Sequence, residues 1–275
     1  MSHQDLAQIY EDVLEDNFDD TLLRSAYQKL LDGQVAEGMD ELVLGLREIR
    51  IQSNEHEWRD FVDACCLHHP IKDLLHQDPF TFRAFSKPRG YAGDAEMLDY
   101  IYGREERWPV PEGTTAIGSQ IFEYTTRAPA PEGVRARREY IAKVLDRLSE
   151  EKSKPEVLSV AAGHLREASL GVAVKRGKLG RLVALDSDAE SLEAVQKNYG
   201  CFGVEVREAS VRRILSGRLD LGKFDLVYST GLFDYLQHPV GQRLAAVMFG
   251  MLRPGGRIVL ANFLPGIRDI GYMES

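Results

Sequence analysis

The side chains best suited to chemistry lie in four short stretches of the second half of the chain. Ala161-Ala162-Gly163-His164 is a small-residue turn that lets backbone approach a ligand closely. Asp186 follows roughly 20 residues later, the offset at which a carboxylate reaches ribose hydroxyls in nucleotide sites. One carboxylate can accept from both vicinal hydroxyls; the alternative is that Asp186 is a turn residue. Ser187 adjoins it at the same end of the site, and Ser187-x-x-Glu190 has the pattern of a capping box, with Asp188 serving the first turn of the next helix. Glu208-Ala209-Ser210 offers small side chains able to flank a flat adenine, and Ser229-Thr230-Gly231 leads into the aromatic run Leu232-Phe233-Asp234-Tyr235-Leu236. Each piece alone is compatible with ordinary turn chemistry. Their order and regular spacing point to a single nucleoside-holding site, although Leu165 stands where a further glycine of the dinucleotide fingerprint would be expected.

These stretches need a frame that aligns them. After Pro155 short apolar runs alternate with helical patterns: EVLSVAAG, RLVALDSD, GVEVREAS, KFDLVYSTG and GGRIVLANF. That texture predicts an α/β fold, a Rossmann-like, mostly parallel sheet with helices on both faces. In such a sheet the ligand sits beyond the carboxyl ends of the strands, where strand order reverses. The first half reads as helices only, with apolar stripes over residues 6–14, 22–31 and 35–49 and further helices over 55–69, 95–102, 115–126 and 132–150. The expected division is a helical N-terminal or cap domain over residues 1–128 and a Rossmann-like domain over 129–275. Between the helices, SKPRGYAGD at 86–94 is a loop with two cations and an aromatic at its centre.

VLSVAAGHLREA, LVALDSD, FDLVYSTGLFDYL and the LRPGGRIVL turn resemble successive motifs of class I S-adenosylmethionine-dependent methyltransferases, over roughly residues 135–263. The resemblance implies S-adenosylmethionine as cofactor and S-adenosylhomocysteine as product. It places the turn Ala161, Gly163 and His164 near the methionine part, Asp186 and Ser187 at the ribose, Ala209 and Ser210 beside the adenine, and Ser229, Thr230 and Gly231 at the end of the fourth strand. Ala161 and Leu165 depart from the family's glycines. KPRGYAGDAEMLDYIYG together with SVAAGHLREA is also similar to the bacterial extracellular-factor 3-hydroxypalmitic acid methyl ester biosynthesis proteins. That implies O-methylation of a 3-hydroxy fatty acid carboxylate to a diffusible signal of the quorum-sensing kind. Methyl transfer from a sulfonium demands in-line alignment and exclusion of water, and a carboxylate is already anionic at neutral pH. Positioning residues are therefore expected rather than a triad: Arg89 to pair with the carboxylate, Tyr91 to close over it, and Tyr124 beside them. Arg127, Tyr228 and Tyr235 are the expected substrate contacts. Other readings are a methyltransferase for another small molecule and a non-catalytic S-adenosylmethionine-binding regulatory module, which the altered glycine loop permits.

The 275 residues carry a formal charge of −9, against a duplex-coating role, which needs a basic face. Arg135, Arg137 and Arg138 form a local basic patch: a solvated helix face, a dock for an acidic acyl carrier protein, or an anchor for an anionic substrate. Three cysteines, two of them adjacent, make no disulfide framework, and no apolar run is long enough to span a bilayer; a cytoplasmic protein is expected. Cys65, His68 and His69 fall within one turn, but no further ligand cluster accompanies them, so no metal is expected. Only LPGIRDIGYMES follows the fifth strand, too short for a crossover helix and two more strands. The expectation is a chain cut from a longer one, or a second copy or partner covering that edge.

Overall fold

The computed structural model describes residues 20–103 and 108–275, which fall into two units. The helix expected over 6–14 lies outside the described residues. Of the described residues, one unit holds those up to Phe82 together with Val110–Pro129 and Pro265–Ser275, and the other those of Arg83–Pro109 and Ala130–Leu264. The single break expected after residue 128 is thus replaced by several crossings. Residues 83–109 join the sheet unit because Asp99 bonds to His164 and Arg166, and Arg89 to Asp188.

The helical unit is built on helices Thr21–Leu31 and Val35–Gln52, whose apolar stripes bury Leu23, Leu30, Met39, Leu42 and Leu46 with Trp58, Phe61 and Ile121. Asn54 opens the helix Glu55–Phe61 with a full capping box, accepting from the Glu57 amide while the Glu57 carboxylate accepts from the Asn54 amide. The single helix expected to run to His69 changes at Val62–Cys66 into a wider turn, in which the Leu67 amide reaches back to the Val62 carbonyl. His69 is buried there, and its Nδ1 accepts from the Ile71 amide. The last helix, Ile270–Glu274, packs on Val35–Gln52: a Cβ at Gly271 would stand 2.4 Å from the Leu46 backbone, so only glycine permits the approach. Residues 265–275 therefore complete the helical unit instead of extending the sheet domain.

The sheet unit carries five parallel strands, β1 (Glu156–Val160), β2 (Arg181–Asp186), β3 (Val204–Glu208), β4 (Phe224–Ser229) and β5 (Leu252–Leu260), in the order β3-β2-β1-β4-β5. β1, β2 and β4 are buried almost throughout, which explains their unbroken apolar runs. Alternate residues feed two cores. Val157, Ala184, Leu226 and Tyr228 face one, and Leu158, Val183 and Val227 the other. β5 lies at an edge, with Ile258 and Val259 half-buried, as its sequence position suggested. One connection differs from expectation. β1 is followed only by a 3-10 turn, Arg166–Ser169, and the four residues Val172–Lys175, not by a full helix. The recognition there must come from the loop's own backbone. No helix among the described residues is long and apolar enough to cross a membrane.

Candidate functional site

Strand order reverses between β1 and β4, so the crevice for a ligand lies at their carboxyl ends. The loop leaving β1 has three residues in the left-handed region: Ala161 (φ 54°), Gly163 (φ 50°) and Leu165 (φ 51°). The backbone thus adopts glycine-like conformations at alternate positions, two of them without glycine. A side chain costs roughly 1–2 kcal/mol in that region, and strain of this sort collects at binding loops because the surrounding structure over-determines it. What over-determines it here is Asp186. Its Oδ2 accepts from the Gly163 amide at 2.8 Å and its Oδ1 from the Asp188 amide at 3.0 Å. Each carboxylate oxygen has a second lone pair, so both remain able to accept from a diol.

The neighbouring residues are placed unevenly. Ala209 is buried at the end of β3, its amide donating to the Asp186 carbonyl. Ser210 caps the helix Val211–Leu215. Ser187 is exposed, and the cap of the helix Ala189–Tyr199 is Asp188, which accepts from the Glu190 amide and from Ser191, so the expected Ser187–Glu190 capping box does not form. Ser229 ends β4 fully buried, with no partner for its hydroxyl among the described residues, and Thr230 and Gly231 are half-buried beyond it.

The 86–94 segment reaches this edge. Tyr91 meets Tyr235 edge-on at 5.8 Å between ring centroids. Burial, and then the carboxylates of Asp186 and Asp188, push the Tyr91 hydroxyl up to about 12, so it stays protonated at neutral pH and can only donate or accept hydrogen bonds. A Cβ at Gly93 would lie 2.1 Å from the Tyr235 hydroxyl, so a larger residue there would displace that ring. Asp94, buried, takes Arg83 through both oxygens at 2.8 and 3.0 Å and caps the Met97 amide, fixing the loop's exit into the helix Ala95–Gly103. Arg89 corrects an expectation. Its guanidinium already meets Asp188, Glu96 at 2.9 Å, Glu190 at 3.0 Å and the Ser191 hydroxyl at 3.0 Å. It pins the loop to the helix after β2 and is not available to an acceptor carboxylate.

Two further groups come from the helices. Asp99 of Ala95–Gly103 receives Arg166 through Nε at 2.7 Å and Nη2 at 2.6 Å, and lies 2.8 Å from His164 Nδ1. Burial pushes the Asp99 carboxyl up, but these hydrogen bonds outweigh it and hold it below the usual carboxylate range. His164 therefore faces an ionised carboxylate, not merely a backbone turn as its motif suggested. Arg137 of the long helix Pro129–Glu151 stands beside Gly231, with Nη2 3.4 Å from where a Cβ there would be, and its charge opposes the burial that pushes the Tyr102 hydroxyl up to about 12. Arg138 is buried, its guanidinium 4.4 Å from the Tyr102 ring centroid. The basic patch is thus an inward-facing group at these two positions, not a solvated face.

Tyr228 is a second correction. It is fully buried in the sheet core and donates to Glu167 at 2.6 Å, which leaves no face for a substrate. Tyr124 and Arg127 belong to the helical unit. Tyr124 donates to Asp40 at 2.7 Å, Arg127 pairs with Glu123, and both line a cavity of about 410 Å³ with Arg268, Val35 and Val43. Asp99, Arg166 and Glu167 went unremarked in the sequence. Their only signal was polarity on otherwise apolar elements. No group of three or more His, Cys, Asp or Glu suited to a metal occurs among the described residues.

Residues 157–256 match the model of the methyltransferase domain family. The sheet unit has the Rossmann-like methyltransferase fold. Structural similarity extends to S-adenosylmethionine-bound CalS10, an amino pentose methyltransferase from Micromonospora echinaspora (18% identity, 48% of this chain and 52% of that one, TM-score 0.37). DesVI from Streptomyces venezuelae aligns at 20% identity over 47% of this chain and 51% of that one, with a TM-score of 0.36. An S-adenosylmethionine-dependent methyltransferase from Clostridium acetobutylicum aligns at 13% identity over 45% of this chain and 49% of that one, with a TM-score of 0.37. The chain spans about half the length of each of these structures. No curated protein sequence matches.

Proposed function

We propose that this methyltransferase domain makes the protein an S-adenosylmethionine-dependent O-methyltransferase that esterifies the carboxylate of a 3-hydroxy fatty acid. The observation that carries the cofactor reading is Asp186, fixed by the Gly163 and Asp188 amides at the switch point with lone pairs to spare for a ribose. The residues fit such a group. Small backbone at 161–164 suits its methionine end, and Ala209 and Ser210 suit its adenine. The group would supply an electrophilic methyl on a sulfonium. The chain's own part is to orient and to exclude water. Arg137 takes the role first expected of Arg89: a guanidinium at the end of β4 that, unlike Arg89, pairs with no carboxylate among the described residues. It can hold one acceptor oxygen while the other attacks. Tyr91, meeting the half-exposed Tyr235 edge-on, stands at the same edge, where a bound acceptor would displace water. The fatty-acyl part of the reading rests on the likeness of KPRGYAGDAEMLDYIYG and SVAAGHLREA to the methyl ester biosynthesis proteins.

The test is incubation of the protein with methyl-labelled S-adenosylmethionine and 3-hydroxypalmitate, followed by mass spectrometry. A labelled methyl ester is expected. Tight cofactor binding by calorimetry with no label in any acyl acid would overturn the acceptor, and absence of binding would overturn the whole reading.

A further inference from the structure

One carboxylate of the helix Ala95–Gly103 grips the loop after β1 on both sides of its buried residue. Leu165 is left-handed at φ 51° and buries its side chain in the sheet core. His164 before it and Arg166 after it both reach Asp99, His164 through Nδ1 at 2.8 Å and Arg166 through Nε at 2.7 Å and Nη2 at 2.6 Å. The same helix face meets the loop one turn earlier, where a Cβ at Gly163 would stand 3.4 Å from that of Ala95. A side chain is disfavoured at positive φ, so the backbone keeps this shape only while its surroundings hold it. Asp186 takes the Gly163 amide, and beyond that point residues 164 and 166 are tied to Asp99. Arg166 engages both oxygens of Asp99, so this carboxylate can act on a ligand only through the loop.

We propose that Asp99 is a positioning residue for the methionine part of S-adenosylmethionine: by fixing His164 and Arg166 it holds the loop after β1 in the shape that part requires, while the nucleoside is held independently of it. The inference rests on the cofactor reading above and adds a residue that lies at no strand end. Sheet order supplies the direction. In S-adenosylmethionine the ribose stands between the adenine and the methionine part. With the ribose on Asp186 at the end of β2 and the adenine toward Ala209 at the end of β3, the methionine part falls on the opposite side of β2, over the loop after β1.

The experiment titrates the full chain calorimetrically with S-adenosylhomocysteine, which carries the amino acid part, and with methylthioadenosine, which keeps the nucleoside and lacks that part. Circular dichroism and thermal melting establish that each variant is folded. Asp99→Asn, equal in size but uncharged, should weaken S-adenosylhomocysteine ~10-fold and leave methylthioadenosine within about 2-fold of native. Arg166→Lys, which replaces a two-pronged grip by one ammonium, should act in the same direction by roughly 3-fold. It carries the test by itself if Asp99→Asn does not fold. The double variant should be no worse than Asp99→Asn, since the two side chains act as one unit. Asp186→Ala, by contrast, should weaken both ligands. Unchanged affinity for S-adenosylhomocysteine in the folded variants would overturn the inference and leave the cofactor reading standing. So would an equal loss for both ligands, the mark of general loosening. A native protein that binds S-adenosylhomocysteine but not methylthioadenosine would also overturn it, because the nucleoside would then have no hold of its own. Binding of neither ligand by the native protein would overturn the cofactor reading itself.

Discussion

The two ends of the parallel sheet use aspartate in opposite ways. At the amino end, Asp225 of β4 receives Lys152 Nζ at 2.8 Å, the Glu156 amide at 2.9 Å and Arg253 Nη1 at 2.9 Å, and Arg253 goes on to Glu156 at 2.6 Å. Two cations and an amide surround one carboxylate, stitching β4, β5, the start of β1 and the long helix before it. At the carboxyl end, Asp186 holds two backbone amides, beside a loop with three left-handed residues and a buried serine hydroxyl without a partner. One end closes its hydrogen bonds within the protein. The other leaves lone pairs and a buried hydroxyl unspent, which is what a surface kept for a ligand requires. The same contrast separates the arginines of that edge: Arg89 is enclosed by carboxylates and holds structure, while Arg137 pairs with no carboxylate among the described residues and has charge left for an anion.

The largest effect should come from Arg137→Ala. Loss of a charge-assisted contact to the acceptor should cut kcat/KM by ~100-fold, about 2–3 kcal/mol, with cofactor affinity within about 3-fold of native. If Arg89→Ala lowers kcat/KM as much while leaving the melting temperature alone, the division between the arginines is wrong. Next in size, Asp186→Ala should weaken S-adenosylmethionine binding at least ~10-fold by calorimetric titration. Unchanged affinity in a folded variant would remove Asp186 from the ribose site.

This contrast was only partly legible in the sequence. β1, β2 and β4 could be read because each, buried on both faces, is a continuous apolar run. The place of Asp186 at the end of β2 could be read because its offset from Gly163 follows from one βαβ crossover. Arg89 and Arg137 could not be told apart, since what neutralises a cation depends on chain brought from elsewhere: Asp188 is 99 residues from Arg89. Asp99 was hidden for the same reason, lying 65 residues from His164. Tyr228 was misplaced although strand parity gives its side, the core face it shares with Leu226. In a strand covered on both faces, neither parity looks exposed, so composition does not say which side a tyrosine takes.

A stability effect should follow at the amino end. Burial pushes the Asp225 carboxyl up, but Lys152, the Glu156 amide and Arg253 outweigh it and hold it below the usual carboxylate range. A depressed folded-state value contributes stability that is fully present above the unfolded value of about 3.9 and lost as pH falls through the folded value. Asp225→Asn should therefore destabilise the protein by ~1–3 kcal/mol at neutral pH and flatten its loss of stability below about pH 4. Denaturant titrations at pH 7 and pH 3 would show both, while calorimetry should find cofactor affinity intact. A fall in affinity matching that of Asp186→Ala would erase the distinction between the two ends.

The smallest effect, and the sharpest on what the carboxyl end is kept for, is expected of Ser229→Ala. Ser229 is fully buried at the last position of β4, and its hydroxyl has no hydrogen-bond partner among the described residues. A buried hydroxyl without a partner costs about 1–3 kcal/mol of desolvation, so removing it should leave the melting temperature unchanged or raise it. If the hydroxyl is held back for a polar group of the cofactor, the same variant should lose one neutral hydrogen bond in the complex. That is worth ~0.5–1.5 kcal/mol, or roughly 2–10-fold in affinity. Thermal melting of the free protein and calorimetry with S-adenosylmethionine separate the two quantities. Stability held or gained with affinity lost is the signature of a group whose partner is the ligand. Stability lost with affinity unchanged would mean that Ser229 serves the sheet as Asp225 does, and that the carboxyl end is less open than its geometry implies.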